Sequence, residues 1–143
     1  MLRALLDTNL FISYLRSLAS GSPAVRSVEA AFNRLVVLLL PAEVVDEVVR
    51  RITTKPYLTR PIASNDIVEL VLGLGAVGEV LPRLVGPAAA IGRDRNDDFL
   101  IAQAIAGRAD VLVSGDKDLL VRDRVDGVRV VSPAYFLDLL GTR

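Results

Sequence analysis

The stretch DDFLIAQAIAGRADVLVSGDKDLL, residues 97–120, contains a helix, a strand and the start of a second helix. Asp97 or Asp98 caps a helix whose body opens on the apolar run Phe99-Leu100-Ile101-Ala102 and ends near Gly107, a residue suited to a C-terminal cap. Val111-Leu112-Val113 reads as a buried strand, and Gly115-Asp116 turns out of it into a short helix. A strand that hands over to a helix at an acid is the unit from which the rest of the chain is read.

The same unit opens the chain. Residues 2–6 are apolar and end at Asp7-Thr8-Asn9, after which Leu10, Phe11, Tyr14, Leu15 and Leu18 recur at helical spacing. Ser20-Gly21-Ser22-Pro23 breaks the pattern, and Ser22 can cap a helix over 24–34 with Pro23 in its first turn. Residues 35–40 are rich in Leu and Val without alternation, as expected of a strand covered on both faces. Pro41 opens a helix over 42–53, ended by Lys55-Pro56-Tyr57. A further helical pattern runs from Ser64 through Leu74 and is stopped by Gly73, Gly75 and Gly78; a short strand over 78–84 and a loop over 86–96 follow. Val128–Val131 makes the last strand, and Ser132-Pro133 starts a terminal helix over 134–140.

Strand and helix alternate throughout. Parallel strands require crossover connections, so the order argues for an α/β fold with a mostly parallel sheet and helices on both faces. No linker, repeat or low-complexity tract interrupts the 143 residues, which are expected to form one domain over 1–143. Sites in such folds form at the carboxyl edge of the sheet, where Asp7 and Asp116 both fall.

Composition narrows the chemistry. The chain has no histidine, which removes the commonest general base, the commonest zinc ligand and every Ser-His-Asp arrangement. It has no cysteine either, so disulfides and thiolate sites are absent and a cytoplasmic setting is expected. Hydrolytic chemistry would have to come from carboxylates, hard ligands that suit Mg²⁺ or Mn²⁺. Lys plus Arg and Asp plus Glu both number 17, so nucleic acid would be held by a local patch and not by a global field. All basic residues but Lys55 and Lys117 are arginine, which more often reflects base composition than phosphate recognition. The N-terminus is too short and polar for a signal peptide, and residues 35–41 are too few to span a bilayer; no membrane association is expected.

Each acid has an ordinary explanation beside the functional one. Asp7 and Asp116 can be helix caps, with a GDKD turn as a further reason for the second. One of Asp97 and Asp98 can cap its helix, but two adjacent acids exceed that need, and their repulsion is relieved by a bound cation. Glu47 lies at the edge of an apolar face made by Val44, Val45, Val48, Val49 and Ile52, four residues before Arg51, where a surface pair is worth only about 0.2 to 0.5 kcal/mol. Glu43 and Asp46, with Arg50, compete for its place. Periodicity alone does not bring these acids together.

Taken as a set, LLDTNLFIS (5–13), PAEVVDEVVRRI (41–52) and RDRNDDFLIAQAIAGRADVLVSGDKDLL (93–120) resemble the PIN-domain family. The last block is the most specific, with its acidic helix start, alanine-rich helix, Ala109-Asp110, buried strand and Ser114-Gly115-Asp116 in the family's order. This resemblance implies a PIN-like three-layer α/β/α fold and a Mg²⁺- or Mn²⁺-dependent endoribonuclease, as in the toxins of bacterial toxin–antitoxin pairs. It also implies an RNA substrate, an antitoxin protein partner and a homodimer. Its four acids fall on Asp7, Glu47, Asp97 and Asp116, as catalytic residues and metal ligands, with Asp98 able to share or replace the part of Asp97. Asn9 and Ser114 match polar positions beside the site, and Arg93, Arg95 and Lys117 flank the acids as candidates for holding phosphates. Two other readings stand beside it: a PIN-fold module that only binds RNA or protein, which four intact acids disfavour, and an aspartate-dependent phosphatase. Haloacid-dehalogenase-like phosphatases carry a second Asp two residues after the first, where this chain has Asn9.

Overall fold

The computed structural model describes residues 1–16, 21–54, 64–84 and 95–141, with the backbone alone for Thr54, Ser64, Arg95, Asn96 and Asp97. Six strands, β1 (Arg3–Leu6), β2 (Val37–Pro41), β3 (Glu79–Leu81), β4 (Val111–Val113), β5 (Arg124–Val125) and β6 (Val128–Val131), form one sheet in the order β3-β2-β1-β4-β6-β5. All pairings are parallel except β5 with β6. Helices α1 (Thr8–Arg16), α2 (Pro23–Phe32), α3 (Ala42–Thr54), α4 (Ser64–Val77), α5 (Arg95–Ala106), α6 (Lys117–Leu120) and α7 (Pro133–Leu140) flank it.

The central strands are buried along almost their whole length, which is why their sequences are apolar without alternation. Leu5, Leu38 and Leu112 are fully buried, each a side chain whose burial is worth about 1.5 to 3 kcal/mol. On α3, Val44, Val48 and Ile52 recur every fourth residue and face this core. From β1 the chain winds outward through β2 to β3, then crosses to the other side of β1 to lay down β4 and β6. The direction of winding thus reverses between β1 and β4, which leaves a crevice at their carboxyl ends.

Ser22 caps α2 by accepting from Val25 N at 3.3 Å, with Pro23 in the first turn, and Ser132 caps α7 by accepting from Tyr135 N at 3.1 Å, as their sequences lead one to expect. Elsewhere the boundaries move. Helix α4 runs through Gly73 and Gly75 to Val77, because Gly73 serves close packing and does not break the helix: a Cβ there would sit 2.8 Å from Phe32 Cε1. Strand β3 is only three residues long, and β2 begins at Val37 and takes in Pro41, which is in register with Leu81. Helix α5 begins at Arg95, so Asp97 and Asp98 lie in its first turn and neither is its cap. Leu18, the Lys55-Pro56-Tyr57 stop and most of the 86–96 loop lie outside the described residues.

The β5–β6 hairpin is absent from the sequence reading. Its signal is Asp126-Gly127, whose φ angles of 48° and 85° are the pair that a tight two-residue hairpin requires.

Gly107 is not the left-handed residue that closes α5. Arg108 takes that conformation, with φ 56°, while Ala109 N reaches Ala104 O at 2.8 Å and Arg108 N reaches Ile105 O at 3.1 Å. Glycine stands at 107 for space: a Cβ would lie 2.7 Å from Leu81 Cδ1 and 3.2 Å from Leu39 Cδ1. The two neighbours therefore respond in opposite directions. In urea denaturation, Gly107→Ala should lose about 1 to 3 kcal/mol through overpacking, whereas Arg108→Gly should gain up to about 1 kcal/mol by removing a strained Cβ.

Candidate active site

Asp7 is the first residue beyond β1, yet its backbone N still donates to Val113 O at 2.9 Å, so the β1–β4 ladder carries it into the crevice. Its side chain is 6% exposed. Ser114, fully buried one residue beyond β4, donates its hydroxyl to Asp7 Oδ2 at 2.8 Å and accepts from Asp116 N at 3.0 Å. One hydroxyl thus spaces the two acids across the strand ends. Asn9 N lies 3.5 Å from Asp7 Oδ1, the turn that starts α1. Asp116 does cap α6, through Oδ1 and Asp118 N at 2.8 Å, which occupies one of its two carboxylate oxygens.

Burial pushes the Asp7 carboxyl above the usual carboxylate range; the Ser114 hydroxyl and the Asn9 N–H draw it partly back, and the charge of Asp116 raises it further against the weaker pull of Arg51. The crevice is an open cleft of about 370 Å³. Asp7, Asn9 and Asp116 line it from the strand ends, Glu43, Glu47 and Arg51 from α3, and Phe99, Leu100 and Gln103 from α5.

Helix α3 presents its acids in three different ways. Glu47 is held by Arg50, with Nη2 at 2.7 Å and Nε at 3.1 Å, and not by the Arg51 expected from spacing; Arg51 instead crosses to Asn9 Oδ1 at 2.6 Å. Glu43 Oε2 accepts from Leu84 N at 2.9 Å, while its Oε1 is buried without a partner. Asp46 faces away, paired with Arg83 at 2.7 Å and 59% exposed.

Against these features, the PIN-domain family model matches residues 3–118. The chain belongs to the PIN-domain family. No curated protein matches it at a significant level. PIN domains are generally nucleases and typically bind divalent metals. The matched span ends inside α6, and β6, which follows it, completes the PIN sheet beside β4.

Of the four acids carried over from the PIN pattern, the cleft brings together Asp7, Asp116 and Glu47, with Glu43 beside them. Asp97 lies in the first turn of α5, its side chain outside the described residues. Asp98 does not line the cleft: Oδ1 is 3.6 Å from Arg122 Nη2 and Oδ2 is buried without a partner. Lys117 is exposed at the start of α6, Arg95 opens α5, and Arg93 lies outside the described residues. Among the described residues, no three acidic side chains converge closely enough to hold a metal ion. Sequence reasoning missed Gln103, buried among the alanines and apolar residues of α5, because helical spacing marks a core position there without showing that it also borders the cleft.

The raised carboxyl of Asp7 sets a pH dependence. Below the unfolded value of about 3.9 the group is protonated in both states; as pH rises through the folded value, ionisation in the fold costs stability, and the cost is complete above it. Every tenfold shift in proton affinity is worth about 1.4 kcal/mol. In chelator, Asp7→Asn should therefore melt above the wild type at pH 7, and the difference should shrink as pH falls toward 4. A variant that melts lower at pH 7 and recovers in acid would contradict this assignment of the cost.

Proposed function

We propose that the chain, acting as one domain over 1–143, is a Mg²⁺- or Mn²⁺-dependent endoribonuclease that hydrolyses RNA phosphodiester bonds, as the toxin of a toxin–antitoxin pair. The observation that carries the reading is Asp7: a carboxylate buried at the switch point, spaced from Asp116 by the Ser114 hydroxyl and repelled by its charge. A divalent cation removes both costs at once, since it neutralises the repulsion and replaces the water lost on burial.

The donor chemistry of the cleft suits such an ion, although no three acids among the described residues stand close enough together to hold it as they lie. Asp7, Asp116 and the unpartnered oxygen of Glu43 offer hard oxygen donors around one cleft, with no nitrogen or sulfur ligand in the sequence to favour zinc. When bound, the metal supplies a water of lowered pKa and offsets charge on the phosphate and the leaving oxygen. In this scheme Asp7 and Asp97 bind it most directly, Asp116 completes its surroundings, and Ser114 and Asn9 keep the carboxylates in place. Glu47 orients the attacking water. Its pair with Arg50 lies at the surface and is worth at most about 1 kcal/mol, so substrate can release it at small cost. Arg93, Arg95 and Lys117, which flank the acids in sequence, hold the strand by its phosphates.

The toxin assignment, with an antitoxin protein as partner, a homodimer and a cytoplasmic setting, rests on the likeness to PIN toxins. Among the described residues, no helix is long and apolar enough to cross a membrane.

The test is cleavage of end-labelled single-stranded RNA in Mn²⁺, with chelator as control. Asp7→Asn and Asp97→Asn should each lose roughly 10²- to 10³-fold, the loss that follows removal of a charge-stabilising group from a reacting centre. Asp46→Asn, whose parent side chain is turned to Arg83, should stay within about twofold of wild type, a difference of roughly 0.4 kcal/mol. Cleavage that survives chelator, or full activity in both cleft variants, would rule the mechanism out.

A further inference from the structure

Gln103 is 2% exposed, and its Oε1 and Nε2 are both buried with no hydrogen-bond partner among the described residues. A buried amide of this kind destabilises the fold unless something satisfies it. Its surroundings on α5, Phe99, Leu100 and Ala104, would accept Leu or Met at this position, so packing gives no reason for an amide. The same side chain borders the acid cleft, where Glu43 Oε1 is a second buried atom without a partner. An N–H donor and a carboxylate acceptor thus both stand unmet on the walls of one cleft.

Resting on the nuclease reading above, we infer that Gln103 is a positioning residue whose amide finds its partners when a hydrated divalent cation enters the cleft. Its N–H group donates to the free oxygen of Glu43, which holds that carboxylate in place beside the cation. Its carbonyl accepts a hydrogen bond from the cation's hydration water. The amide suits this place because it is uncharged: it neither adds to the repulsion among the acids nor competes with the cation, as Lys or Arg would. Neither polar atom is exposed, so the bulk of a nucleotide is a poor partner for them, whereas a single water carried in with the ion is small enough to serve.

The experiment uses the full chain with Mn²⁺ alone as the probe. Melting is followed in chelator and across a Mn²⁺ titration, and Mn²⁺ affinity is measured by calorimetry, for wild type, Gln103→Met, Gln103→Leu and Asp7→Asn. In chelator both Gln103 variants should melt a few degrees above wild type, because the orphaned amide is gone. Their Mn²⁺ affinity should fall about 10- to 100-fold, the usual effect of losing a residue that orients metal ligands. Lower melting in chelator would mean that the amide is satisfied within the fold, and an unchanged Mn²⁺ affinity that it does not face the ion; either overturns the inference. Asp7→Asn separates the two levels. If it abolishes the Mn²⁺ response while the Gln103 variants keep it, only the role of Gln103 fails; if it too leaves the response intact, the metal reading falls and this inference with it.

Discussion

The pairing of β1 with β4 is the constraint on which the site depends. These strands meet where the winding of the sheet reverses, and the ladder continues one residue beyond β1, from Asp7 N to Val113 O at 2.9 Å. A charged side chain is thereby committed to a place that is 6% exposed. The opposite edge helps to hold the register: Arg3 N donates to Asp110 Oδ2 at 2.8 Å, and its guanidinium reaches Glu79 and the carbonyl of Gly107, both at 2.7 Å. A one-residue slip between β1 and β4 would move every β1 side chain to the other face of the sheet, break the packing around Leu5 and Leu6, and carry Asp7 away from Ser114. Packing of the apolar strands thus sets where the acid lies, and the Ser114 hydroxyl sets how its carboxylate is turned.

That arrangement stores cost in a small volume. The Asp7 carboxyl is pushed upward by burial, Glu43 keeps one oxygen without a partner, and Gln103 keeps two polar atoms so. Buried polar groups are satisfied in the great majority of folds, and the exceptions gather where binding happens. Three neighbouring acids are relieved in the ordinary way: Asp46 by Arg83, Glu47 by Arg50 and Glu79 by Arg3. The division follows position. These three acids stand at or near solvent, where neutralisation is inexpensive, whereas Asp7, Glu43 and Gln103 line the cleft; Asp98, with one buried unpartnered oxygen beside Arg122, is a further strained group outside it.

Much of this fold could be read from the chain alone, for one physical reason. Strands buried on both faces must be apolar without interruption, and helices crossing between them must show a 3.6-residue period, so 2–6, 35–40 and Val111–Val113 announced the sheet, and Asp7 and Asp116 marked its carboxyl edge. Glycine was less legible because one residue type serves two ends. Gly73 and Gly107 look like helix stops in sequence and prove to be contact points, against Phe32 and against Leu81 with Leu39, while the left-handed turn after α5 falls to Arg108. Which arginine holds Glu47 was also beyond the sequence, since Arg50 and Arg51 are both one turn away and only the position of α1 decides that Arg51 crosses to Asn9. Gln103 was silent because a polar residue on an apolar helix acquires meaning only from what lies opposite.

The two glutamates of α3 show how one helix face can divide its labour. Glu43 and Glu47 are four residues apart, so both point to the same side, and both line the cleft. Their restraints differ in kind. A backbone N–H holds Glu43: Leu84 N cannot swing away without moving the segment after β3, so one oxygen is fixed and the other is buried with its demand unmet. A side chain holds Glu47: Arg50 is 58% exposed and long, and it can leave for a phosphate or for water at little cost. A carboxylate with a rigid restraint suits a ligand whose position must not vary, and one with a removable restraint suits a group that acts only after substrate arrives. The PIN pattern assigns its helical acid to Glu47, while the geometry gives Glu43 the oxygen with an unmet demand. In the proposed nuclease the two are complementary, Glu43 bracing the ion's surroundings and Glu47 acting on the attacking water.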